Sequence, residues 1–95
     1  MVTAILLVES DRNALSTLGE RLAEIDGVSE VYSVTGQWDF VAMIRIPRHE
    51  QLAGILAGPV ASLEGVTRSQ TMVAFAALST TDLDELFGDD AGPEG

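Results

Sequence analysis

No cysteine occurs in this chain, and basic residues number only 5 against 15 acidic ones. The first absence excludes disulfides, thiol nucleophiles and cysteine metal sites, and it fits a reducing, cytoplasmic setting. The second leaves a formal net charge of −10, so phosphate backbones are repelled over most of the surface and direct nucleic-acid binding is not expected. A single histidine, His49, sits between Arg48 and Glu50 with no positioned partner, and reads as a solvated side chain rather than a general base. Ser10, Ser33, Ser62, Ser69 and Ser79 lack the strand-elbow glycines of a hydrolase nucleophile. Residues 1–8 are apolar but have no basic n-region, are interrupted by Thr3 and run into Glu9, Asp11 and Arg12. They read as a strand, with no signal peptide and no membrane span. One His and scattered carboxylates give no metal-ligand spacing. The acidic cluster Asp82, Asp84, Glu85, Asp89 and Asp90 lacks a calcium loop and reads as a solvated face. No cofactor is expected.

What is present is enough for one small domain: 95 residues, 46% of them hydrophobic, support one modest core. A positive mean hydropathy of +0.24 in so small a chain means more apolar surface than one copy buries. Self-association is expected.

Residues 2–9 form a near-continuous apolar run suited to a central strand covered on both faces. Leu15, Leu18, Leu22 and Ile25 then recur at helical spacing, predicting an amphipathic helix over 13–25, capped by Ser10 or Asp11 and stopped at Asp26-Gly27 with Gly27 left-handed. Residues 31–46 are two strand-like runs broken only by Gly36-Gln37, which predicts a hairpin with a tight loop. Pro47 closes the second run and opens another helix carrying Leu52, Ile55, Leu56, Val60 and Leu63. Gly54, Gly58 and Pro59 weaken that helix, so a kink or break is expected near Gly58. After Gly65 comes a last strand over 66–78, then a short capped helix over 79–87. Residues 1–87 would thus be folded, and 88–95, acidic and glycine-rich, a frayed flexible tail. The order β, α, β, β, α, β is that of an α+β ferredoxin-like sandwich with both helices on one face of an antiparallel sheet. Its other face, apolar or neutral at nearly every position, is suited to meet a second copy. An RNA-recognition module of the same order would need exposed strand aromatics and basic residues that are missing.

Chemistry concentrates at the hairpin. Gly36 permits a positive φ and leaves backbone groups open, and the acceptor Asp39 lies just beyond. Thr67, Ser69 and Thr71 alternate on the last strand, which places their hydroxyls on one face. A carboxylate, hydroxyls and bare amides together suit an α-amino acid, with its ammonium on Asp39 and its carboxylate on N–H donors. On pattern alone, a turn-capping Asp39 and hydroxyls that merely favour a strand are the simpler reading.

The run Ser29-Glu30-Val31-Tyr32-Ser33-Val34-Thr35-Gly36-Gln37-Trp38-Asp39, followed by Gly65-Val66-Thr67-Arg68-Ser69-Gln70-Thr71, closely resembles the ligand-binding (RAM) domain of Lrp/AsnC transcriptional regulators over residues 2–78. The chain starts directly at the sensing domain and so resembles a stand-alone form without the helix-turn-helix. The resemblance implies a dimer paired through its sheets into an α/β-barrel-like assembly, rings that are often octameric, and amino-acid effectors in clefts between dimers. Carried over, Gly36, Gln37, Trp38 and Asp39 form one wall of the effector site, and Ser69 and Thr71 contribute from a neighbouring subunit. Ser69 replaces the usual threonine. A full-length Lrp/AsnC regulator that co-assembles would be the partner carrying the output. The alternative is a small dimeric ferredoxin-like enzyme of monooxygenase or isomerase type, for which Arg45 and Arg68 are the strand candidates. A purely structural subunit is the third reading.

Overall fold

The computed structural model describes residues 1–75. The helix expected over 79–87, the tail expected over 88–95 and the acidic cluster from Asp82 to Asp90 lie outside the described residues.

Strand β1 (Val2–Ser10) leads through a 3-10 turn (Arg12–Ala14) into helix α1 (Leu15–Ala23). The Asp11 side chain caps this entry by accepting from the Asn13 N–H at 3.2 Å, as one of the two predicted caps. The helix begins and ends two residues inside the predicted 13–25, because its first turn is 3-10. Gly27 follows at φ +99°, as predicted, and hands the chain to β2 (Val28–Ser33), β3 (Phe40–Ile46), α2 (Glu50–Ile55) and β4 (Val66–Ala74). Pro47 precedes α2 instead of opening it, and the Gln51 side chain reaches back to the Arg48 N–H at 3.1 Å to satisfy one free donor of the helix start. The break expected near Gly58 is a π-helical turn (Leu56–Val60) that contains Pro59. Proline has no N–H to give an α-helical ladder, and a widened turn accommodates it.

The sheet is four-stranded and antiparallel in the order β2-β3-β1-β4, the ferredoxin-like arrangement. Ala4, Leu6 and Val8 of β1 and Phe40, Ala42, Ile44 and Ile46 of β3 are buried under the helices with Leu18, Leu22, Ile25, Leu52 and Val60. Each large apolar side chain so buried contributes about 1.5–3 kcal/mol. The cover expected on both faces of β1 is present on one only: Ile5 and Leu7 are half-buried. They belong to an open face continued by Val41 and Met43 on β3, Tyr32 on β2 and Met72 on β4. Tyr32 and Met72 are 49% and 40% exposed. Charges ring this apolar centre, with Arg45 paired to Glu30 at 3.1 Å and Arg68 to Glu9 at 3.8 Å. The Glu30 carboxylate beside Tyr32 holds that phenol above its ordinary pKa by hydrogen bonding and by charge. The continuous hydrophobicity of residues 2–9 therefore reflects one covered face and one that is open in the single chain.

Candidate effector site

The predicted tight loop is longer than two residues. Strand β2 starts earlier than expected, at Val28, and stops at Ser33, while β3 starts at Phe40. Residues 34–39 are the connection, and Trp38 and Asp39 belong to it rather than to a strand. The loop is closed by the Val34 N–H donating to the Asp39 carbonyl at 3.0 Å. Gly36 sits at φ +111°, and an added Cβ would meet nothing within 4 Å. Its backbone is open, as predicted.

Asp39 is fixed from two directions by β1. Its N–H donates to the Val8 carbonyl at 2.9 Å, and its Oδ2 accepts from the Ser10 N–H at 2.7 Å. One carboxylate oxygen is thus committed to the end of β1, and among the described residues the other has no hydrogen-bond donor. The simpler sequence reading, a turn-capping Asp39, is corrected: the side chain caps a backbone N–H of β1 rather than one of its own turn, and it keeps one acceptor oxygen without a donor among the described residues. Trp38 turns the other way. Its ring lies under the Arg68 guanidinium, 4.3 Å from Cζ to the centroid, and Arg68 pairs with Glu9 on the open face.

The hydroxyls of β4 divide. Ser69 and Thr71 are opposite Val8 and Leu6 and so share the helix-side face. Thr67 falls at a bulge where the register shifts between Glu9 and Ser10, and its hydroxyl donates to the Glu9 carbonyl and carboxylate at 3.1 and 2.9 Å. The expectation that all three line one face is corrected by that extra residue, since side chains alternate only while the ladder is unbroken. Within one chain, Trp38 on the open face and Ser69 and Thr71 on the helix side stand across the thickness of the sheet. The structure brings Gly36, Gln37, Trp38 and Asp39 together in one loop, and it does not bring Ser69 and Thr71 to them.

None of these residues lines the groove of about 780 Å³ between the helices, which is bordered by Arg21, Ile25, Gln51, Ile55, Pro59 and Leu63. A loop on a single chain is one wall, whereas a pocket needs two. Among the described residues no three His, Asp or Glu side chains form a candidate metal site, and no helix is long and apolar enough to cross a membrane. Reasoning from sequence missed the Ser10 N–H and the Glu9–Arg68–Trp38 chain. The only signal for the latter was Arg68 standing as a lone cation on a predicted strand.

The domain is ferredoxin-like, with one carboxylate fixed to a strand end on an open glycine loop. The chain belongs to the Lrp/AsnC family: the model of the Lrp/AsnC ligand binding domain matches residues 3–83. It is 32% identical over 79 residues to the uncharacterized HTH-type transcriptional regulator PH1916 of Pyrococcus horikoshii, covering 80% of this chain and 53% of that protein. The chain therefore spans about half the length of the curated relatives it matches. Among solved structures, TTHA0845 from Thermus thermophilus is 43% identical with a TM-score of 0.78, covering 83% of this chain and 99% of that one. A regulator from Neisseria meningitidis, NMB0573, crystallised as an L-Met complex, shares the fold at a TM-score of 0.73 and 14% identity, covering 82% of this chain and 52% of that one. The family and its curated relatives are transcriptional regulators, not enzymes.

Proposed function

We propose that this chain is a non-enzymatic, oligomeric sensor of the cytoplasm that binds an α-amino acid or a close relative and modulates transcription through its assembly. The observation that carries this reading is the Asp39 carboxylate, which accepts from the Ser10 N–H while the residue's own N–H is bound by the Val8 carbonyl, in the same loop as the open backbone of Gly36 and with one oxygen unengaged among the described residues. That oxygen suits an ammonium, and the N–H groups of Gly36 and Gln37, which have no partner among the described residues, suit a carboxylate. The L-methionine bound by the Neisseria protein of the same fold supports the ligand class. Ser69 and Thr71 complete the site from a neighbouring subunit, since their own chain's sheet separates them from Trp38. An effector wedged between dimers shifts assembly only by its difference in affinity between assembly states, and a full-length Lrp/AsnC regulator that co-assembles would carry the output to DNA. The enzyme alternative loses its two candidates, because Arg45 and Arg68 are engaged by Glu30 and Glu9 on the open face.

A thermal-shift screen over the twenty amino acids, with light scattering on each hit, tests this. At a hundredfold excess over Kd a ligand of the folded state adds about 2.7 kcal/mol. A chain that no amino acid stabilises would end the sensor reading.

Two further outcomes are expected. The open face around Leu7 and Met43 pairs with a second copy, and a stable pairing buries about 1,200–2,000 Å². The dimer should persist at micromolar concentration, whereas Leu7→Asp, which buries an unpaired charge in its centre, should run as a monomer. A wild-type monomer by light scattering contradicts this. The purified chain should also leave a promoter fragment unshifted at physiological salt, since a net charge of −10 repels phosphate. Tight binding with no other protein present would contradict that.

A further inference from the structure

We propose that Arg68 is a positioning residue for the effector loop, holding Trp38 across the end of β1, and that a second copy seated on the open face tightens this hold. The inference rests on the effector reading of residues 34–39 and deepens it. Glu9 and Arg68 are cross-strand partners in the register, and their carboxylate and guanidinium stand 3.8 Å apart. Glu9 also accepts from Thr67 at 2.9 Å, so its carboxylate is held from β4 at two points. The guanidinium thus fixed lies 4.3 Å above the Trp38 ring centre, within the range of cation–π attraction.

Asp39 follows Trp38 directly and draws on the same strand end through Val8 and Ser10. The loop is therefore tied to two strands: to β1 through the Asp39 N–H and carboxylate, and to β4 through the stack of Trp38 on Arg68. Without the stack, residues 35–38 have no hydrogen bond to the sheet among the described residues. Arg68 and Glu9 are 54% and 40% exposed along their side chains, and they edge the apolar patch of Ile5, Leu7 and Met72. A second copy on that patch would remove water from the stack, and cation–π attraction strengthens when desolvated. Loop order and pairing of copies would then be coupled.

Trp38 is the single tryptophan, so its emission reports on the stack alone. Acrylamide quenching, hydrogen exchange at the Asp39 amide and amino-acid affinity are measured on wild type, Arg68→Gln and Arg68→Lys, with melting temperatures to certify folding. Arg68→Gln should make Trp38 more accessible to quencher, speed exchange at Asp39 and weaken the best amino-acid ligand by about tenfold. Arg68→Lys, which keeps the charge, should recover most of all three. Unchanged quenching in Arg68→Gln overturns the proposal, and so does increased quenching with unchanged affinity. If wild type binds no amino acid, the effector reading fails by itself, and the quenching and exchange series still decides whether Arg68 holds the loop.

Discussion

Asp39→Asn is expected to weaken amino-acid binding by about thirtyfold or more while leaving the melting temperature nearly unchanged. The asparagine carbonyl can still accept from the Ser10 N–H now held at 2.7 Å, and the Asp39 backbone bond to Val8 does not involve the side chain. What is lost is the charge. An ammonium facing the loop would then be left weakly paired, and truncating one partner of such a pair costs about 2–5 kcal/mol. Asp39→Ala separates the two roles further. It removes the acceptor as well, leaving a part-buried N–H unsatisfied at a cost of about 1–3 kcal/mol in folding stability. Calorimetric titration of the three proteins with the best amino-acid ligand, alongside thermal melts, makes the comparison. Unchanged affinity in Asp39→Asn would leave Asp39 a structural cap and take the ligand away from this loop.

Gly65→Ala is expected to destabilise the fold by about 2–5 kcal/mol. Gly65 sits at φ +97°, where a side chain costs about 1–2 kcal/mol, and an added Cβ would overlap the Ala14 Cβ, forcing a shift that typically costs about 1–3 kcal/mol. The position has little freedom to move away, because the Gly65 carbonyl accepts from the Asp11 N–H at 2.6 Å, fixing the end of β1 to the start of β4. Gly36→Ala is the control, with φ +111° but open space around it. It should lose only the conformational part, about 1–2 kcal/mol. Urea unfolding of both variants decides the matter: equal losses would mean that contact with Ala14 contributes nothing.

Within the described residues, the sequence by itself determined the elements and their order. Leu18 and Leu22 at helical spacing, the β-branched runs on either side of Gly36, and the glycines at 27, 36 and 65 state their roles within a few residues, because helix periodicity, strand propensity and positive φ are local properties. The resemblance of residues 29–39 and 65–71 to the RAM domain was likewise legible, and the family match over residues 3–83 agrees with it. Only the tertiary structure decided how the hairpin ends. Thr35 and Trp38 have strand-forming side chains, yet β2 stops at Ser33, because the Asp39 N–H bonds to Val8 of β1 and the Trp38 ring turns to Arg68 of β4. Neither partner is close in sequence. The bulge that takes Thr67 out of line with Ser69 and Thr71 was equally hidden, since alternation along a strand presumes a register that the neighbouring strand sets. The geometry of Asp39 comes from hydrogen bonds to a strand end some thirty residues earlier in the chain, and a one-dimensional pattern records which residues can make such bonds but not which of them meet.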